Sequence, residues 1–211
     1  FQDIDFVIEI VCPVGWAVGN TGNVAKMSPP FTKTLQLTAV IEGFWNCTYY
    51  TGDTLTVELR SGTTPYNIID VAKGKSDGSG DLTVSFTAAI ADNTPYYVAI
   101  RHRNSIETWS KNVQSFSGGN LNYNFSSATT QAFGNNMKQI DTLPLRFGIY
   151  SGDQNQDGSV NLTDVVNVYN NANTFVNGYV ASDMNGDNLT DLSDIVITSN
   201  NAGAFVGKVT P

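Results

Sequence analysis

Apolar and polar residues alternate through most of the first 150 positions. Leu35, Leu37, Ala39 and Ile41 share one parity, and Leu55, Val57 and Leu59 repeat the pattern. It recurs at Leu82, Val84 and Phe86, at Tyr96, Val98 and Ile100, at Leu121, Tyr123 and Phe125, and at Leu143, Leu145, Phe147 and Ile149. A strand turns successive side chains to opposite faces, so each run predicts a strand with one buried face. Gly, Asn and Pro punctuate the runs, as in Asp77-Gly78-Ser79-Gly80 and Ser117-Gly118-Gly119-Asn120. Short strands between such turns predict a mainly β, antiparallel β-sandwich. No amphipathic helical stretch lies between them, which argues against a parallel α/β fold.

The chain opens on its cleanest alternation. Ile4, Phe6, Ile8 and Ile10 fall on one parity and Asp3, Asp5 and Glu9 on the other. A Gly-, Asn- and Pro-rich stretch follows to Pro30 and reads as a loose connection without regular structure. Two readings of the first strand stand: an edge strand of its own domain, or a donor strand whose four apolar side chains form an interface with a neighbouring copy.

At Ser151-Gly152 the period changes. Two acidic twelve-residue stretches begin thirty positions apart, at Asp153 and Asp183. Each runs into a short segment that reads as a helix, Val165–Tyr169 and Ile195–Ser199, although its β-branched residues are weak helix formers. The echo continues in Asn170-Asn171-Ala172 and Asn200-Asn201-Ala202, then in Phe175-Val176 and Phe205-Val206. This is an internal duplication. Neither half is large enough to bury its own apolar side, so the two are expected to pack together.

Both acidic stretches carry oxygen-bearing side chains at positions 1, 3, 5, 9 and 12, the arrangement by which a loop wraps a hard cation, with position 7 adding a backbone carbonyl. The pattern is D-x-N-x-D-G-x-x-N-x-x-D, then D-x-N-x-D-N-x-x-D-x-x-D. On this pattern residues 151–211 resemble a dockerin module, a family with two tandem Ca²⁺-binding loop–helix units and Asp at loop position 12. Residues 1–150 resemble an Ig-like sandwich only in a general way.

The resemblance implies two Ca²⁺ ions. Asp153, Asn155, Asp157, Asn161 and Asp164, with the Ser159 carbonyl, would hold the first. Asp183, Asn185, Asp187, Asp191 and Asp194, with the Leu189 carbonyl, would hold the second. Position 6 is Gly158 in one loop and Asn188 in the other; Asn is the non-Gly residue best suited to positive φ. The family docks onto cohesin domains through loop positions 10 and 11, here Leu162-Thr163 and Leu192-Ser193. Position 10 is commonly small and polar in the family, and its helices often carry basic residues where Val165–Asn173 has none. The two leucines are therefore expected to pack inward, between the units or against the sandwich.

Net charge sharpens this division. The formal net charge is −8, and residues 151–211 supply −6 of it from seven Asp and one Lys, leaving −2 for the rest. Two Ca²⁺ would cancel four charges where they are densest. The basic stripe of a nucleic-acid binder is missing, and no apolar run is long enough for a membrane span. Phe1 in place of Met reads as a processed, exported product. In such a chain Cys12 and Cys47 either form a disulfide or remain two thiols.

Catalysis finds little support. His102 is the single histidine, between Arg101 and Arg103, and reads as structural. Glu42, Glu58 and Glu107 sit in separate segments, without the facing pair of a glycosidase. Trp16, Trp45 and Trp109 are candidates for a sugar-binding face and equally for core anchors.

The chain is thus expected to be non-catalytic and secreted or on the cell surface. It divides into an N-terminal strand and linker (1–30), a sandwich (31–150) and a dockerin-like calcium domain (151–211). Its first functional reading is a calcium-stabilised structural subunit, polymerising with copies of itself into a filament by strand exchange or attached to another surface protein. The alternative is a dockerin-bearing module on a cohesin scaffold, with the sandwich as a carbohydrate binder.

Overall fold

The computed structural model describes residues 15–18, 24–27, 32–87 and 89–211. The proposed donor strand with Ile4, Phe6, Ile8 and Ile10 lies outside these residues, as does Cys12. Cys47 is exposed, on a backbone with φ of 70°.

The first described elements fall where the sequence suggested no regular structure. Strands β1 (Gly15–Val18) and β2 (Val24–Met27) pair antiparallel as a hairpin.

The sandwich follows. Its strands are β3 (Lys33–Thr38), β4 (Thr54–Ser61), β5 (Ile68–Lys75), β6 (Asp81–Phe86), β7 (Tyr96–His102), β8 (Ser105–Trp109) and β9 (Asn120–Asn124). They form a four-stranded sheet, β5-β4-β7-β8, and a three-stranded sheet, β6-β3-β9. Pairing is antiparallel except between β3 and β9, which run parallel. Leu35, Leu37, Leu55, Val57, Leu59, Leu82, Val84, Phe86, Val98, Ile100 and Leu121 are all buried in one core, as their alternation requires. Truncating any one of the leucines to Ala should cost about 2–5 kcal/mol.

Two strands carry no clear alternation. β5 is an edge strand, and it leaves Ile68, Ile69 and Val71 exposed. β8 reads Ser-Ile-Glu-Thr-Trp and is buried almost throughout. The run from Leu143 is also shorter than its parity suggests. Strands β10 (Lys138–Thr142) and β11 (Leu145–Gly148) form a hairpin, and Leu143 sits in its turn, exposed.

The C-terminal part forms two helices, α1 (Leu162–Ala172) and α2 (Leu192–Gly203), packed on each other. Each begins in a capping box. Asn161 accepts from Thr163 N while Asp164 reaches back to Asn161 N; Asp191 and Asp194 do the same around Ser193. Such a cap contributes about 1 kcal/mol, which offsets the weak propensity of Val and Ile here. Val160 and Val206 close a second small core over Ile106 of β8, with Tyr150 and Ala202 at its margin. The architecture is therefore mainly β, a sandwich followed by a two-helix unit seated against it.

Candidate functional site

The two acidic loops precede the two helices, and each folds around the carboxylate at its first position. In loop 1, Asp153 accepts from Asp157 N at 3.1 Å and from Gly158 N at 3.1 Å. In loop 2, Asp183 accepts from Gly186 N at 2.7 Å and Asn188 N at 3.2 Å. The position-12 carboxylates close the rings: Asp164 accepts from Asn155 N and Asn161 N, and Asp194 from Met184 N and Asp191 N. The backbone must turn left-handed twice in each loop, at Gln156 and Gly158 and at Gly186 and Asn188. Asn188, at φ of 68°, takes the conformation that Gly158 takes at 92°.

Asp153, Asp164, Asp183 and Asp194 are exposed by 2% or less. Buried carboxylates are costly unless their charge is met. Burial, reinforced by the charges of Asp164 and Asp157, pushes Asp153 up to about 6. Burial, with Asp183 and Asp187, pushes Asp194 up to about 6. Among the described residues no Lys or Arg forms an ion pair with Asp153, Asp157 or Asp164, whereas Asp183 has Arg103 at 3.3 Å.

Among the described residues no three carboxylate, imidazole or thiol side chains converge tightly enough to enclose a metal ion. The donor chemistry fits a hard cation all the same. The groups are oxygens, they are ordered along the loops at the required positions, and the buried carboxylates repel one another. A divalent cation would remove that repulsion.

The helices bury matched positions in their first two turns and differ in the last. Asp164, Val168 and Ala172 of α1 are buried, as are Asp194, Thr198 and Asn201 of α2. Leu162 and Leu192 are not packed inward, contrary to expectation; they are 73% and 70% exposed. Each starts its helix just after the capping residue and stands clear of the helix–helix contact. Val166 and Tyr169 extend the stripe on α1, and Val196 extends it on α2; all three are exposed. Phe175 and Phe205, just past the two helices, are exposed as well. Large apolar side chains thus stand exposed at matched positions of both units, Leu162 and Leu192, Val166 and Val196, Phe175 and Phe205.

The sandwich touches the other face of this unit. A Cβ built on Gly43 would overlap the Met184 carbonyl, and one on Gly186 would stand 2.5 Å from the Phe44 ring. Asn201 Nδ2 donates to Glu42 Oε2 at 2.6 Å and to the Ser151 carbonyl at 2.8 Å. Gln156 Nε2 donates to the Ser105 carbonyl at 3.3 Å, and Lys208 Nζ stands 3.8 Å from Glu107.

The residues weighed for catalysis hold other positions. His102 is buried, its Nε2 3.0 Å from Asp53 Oδ2. Burial holds its pKa below the usual imidazole range against the pull of Asp53, and the Arg103 cation adds to the lowering. Glu58 and Glu107 are tied together through Arg60 and Arg101, and Glu42 pairs with Lys138. Trp109 is buried beneath Arg60, beside Tyr66 and Tyr97. Trp45 lies under Arg146 and donates to Asp141. These two tryptophans belong to different clusters and build no shared sugar-binding platform. An open groove of about 630 Å³ on the three-stranded sheet is lined by Gln36, Asp81, Thr83, Asn122 and Asn124, with Tyr123 as its aromatic side chain.

No protein-family model matches the chain, and no curated relative matches it. Solved structures do. One is a chain of a type II cohesin–X-dockerin complex from Acetivibrio cellulolyticus, a C-terminal interface mutant; it is 19% identical, with a TM-score of 0.51, and the match covers 84% of this chain and 97% of that one. Another, from the N-terminal interface mutant of the same complex, is 18% identical with a TM-score of 0.43, covering 81% and 92%. At this identity the likeness is one of fold: the chain has the architecture of an X-dockerin module, a β-sandwich followed by a two-helix unit.

Proposed function

We propose that this chain is a non-catalytic, extracellular docking module. Its two-helix unit, residues 151–211, binds a cohesin-type domain of a scaffold protein, and its sandwich, residues 31–150, serves as the support. The observation that carries this reading is the exposed apolar stripe repeated on α1 and α2: Leu162, Val166 and Tyr169, with Leu192 and Val196. It is supported by the fold likeness to a chain of a type II cohesin–X-dockerin complex.

Calcium belongs to the same reading. Asp153, Asn155, Asp157, Asn161 and Asp164 with the Ser159 carbonyl hold one ion. Asp183, Asn185, Asp187, Asp191 and Asp194 with the Leu189 carbonyl hold the other. Each ion ties the start of a helix to its loop, because positions 9 and 12 are also the capping residues. Losing the ions would free the helix starts and with them Leu162 and Leu192. The docking face is thus formed by the metal-bound loops, not by the helices alone.

The test is binding of the full chain to a type II cohesin by calorimetry, in calcium and in chelator. Binding that disappears in chelator supports the reading. Equal absence of binding in both, with the chain folded, overturns it.

A further inference from the structure

The turn between β7 and β8 is two residues long, Arg103-Asn104, and both side chains grip the entrance to loop 2. Arg103 Nη1 donates to the Val180 carbonyl, and Nη2 lies 3.3 Å from Asp183 Oδ2. Its Nε donates to Asp53 Oδ2 at 3.0 Å. The guanidinium lies over the rings of Tyr179, at 4.4 Å, and Phe44, at 5.4 Å. Tyr179 in turn donates to Asp53 Oδ1 at 2.8 Å. Asn104 is fully buried, and its Nδ2 donates to the Asp183 carbonyl at 2.6 Å. Side chain and main chain of the first residue of loop 2 are therefore both held from the sandwich.

Loop 1 has no such grip. Its first residue, Asp153, is held from within its own loop, its carboxylate by the N–H groups of Asp157 and Gly158 and its carbonyl by Gln156 Nε2 at 2.6 Å. Among the described residues, the contacts from this region toward loop 1 are main-chain carbonyls: Asn104 O accepts from Gly152 N, just before the loop, and Ser105 O of β8 accepts from Gln156 Nε2. Two nearly identical cation loops thus differ in who orients their first ligand.

We propose that Arg103 and Asn104 are positioning residues for the second calcium site: the sandwich orients Asp183 for its ion, and loop 1 orients Asp153 unaided. The inference rests on the calcium reading above. A cation beside a metal site would ordinarily oppose the metal. Here Asp53 already faces the guanidinium on its Nε edge, so the charge is met and the fork remains to fix geometry. Partners that orient a ligand in this way commonly set metal affinity by about 10- to 100-fold.

Calcium titration calorimetry on the full chain tests this. The wild type should take up two ions. With Asp153→Ala, loop 2 is read alone; with Asp183→Ala, loop 1 is read alone. Arg103→Lys, which keeps the charge and loses the fork, should weaken loop 2 by about tenfold or more and leave loop 1 unchanged. Asn104→Ala should do the same without altering any charge. Loop 2 affinity equal to wild type in both variants overturns the inference. Equal weakening of both loops also overturns it, since a general loss of fold would give that result. A wild-type chain that takes up no calcium removes the reading beneath, and the inference with it.

Discussion

Asn201 of α2 donates from Nδ2 to Glu42 Oε2 at 2.6 Å, joining residues 159 positions apart. The same side chain holds the Ser151 carbonyl at 2.8 Å and accepts from Lys138 Nζ at 3.1 Å. Its counterpart in the duplication, Asn171, donates only to Ser182 Oγ, within the two-helix unit. One residue of a duplicated pair has become the bolt between sandwich and helices. Asn201→Ala removes a buried amide that holds both Glu42 and the buried Ser151 carbonyl, and should cost about 2–3 kcal/mol. Asn171→Ala should cost about 1 kcal/mol or less. Urea unfolding of the two variants side by side measures the difference.

Close backbone approach makes a second bolt. Gly186 sits at φ of 76° with the Phe44 ring against its Cα. Gly186→Ala adds both a steric and a backbone penalty and should destabilise by about 1–3 kcal/mol. Gly178, at φ of 97° with open space around it, carries only the backbone penalty. Gly178→Ala should therefore be the milder change in the same thermal melt.

The exposed leucines make the opposite prediction. Leu162→Ala and Leu192→Ala should shift stability by no more than about 0.5 kcal/mol, as surface positions do. A loss of several kcal/mol would mean that they pack as core residues after all.

His102 sets a pH dependence. Its folded pKa is lowered, so the folded state resists the proton that the unfolded chain accepts below about 6.5. Its contribution is complete above that pH and is lost as pH falls. Asp53 is also lowered, chiefly by its bonds to His102 and Tyr179 against the cost of burial, and its contribution fades only at more acid pH. In calcium-saturated protein, His102→Asn should flatten the fall in stability between about pH 6.5 and 5. An unchanged slope would contradict the buried, neutral imidazole.

Much of this was legible in the residues. The acidic loops are local: carboxylate spacing and turn residues all lie within twelve positions, and positions 9 and 12 are the helix caps. The core strands were legible because one face is buried, so Leu35 and Leu37 or Leu82 and Val84 betray their parity. β5 was not, because an edge strand with Ile68 and Val71 turned to solvent inverts the signal. Leu162 and Leu192 were misjudged because an apolar residue at a helix start looks the same in sequence whether it faces a core or solvent. The grip of Arg103 on Asp183 joins segments 80 positions apart, and no local pattern announces it.

The central claim is that the matched stripes on α1 and α2 are a docking face. It is tested most directly by titrating a type II cohesin into the full chain in calcium, with Leu162→Asp and Leu192→Asp combined in one variant. The wild type should bind, and the double variant should lose binding by at least about a hundredfold while melting within a few degrees of the wild type. Undiminished binding by the folded double variant would contradict the account.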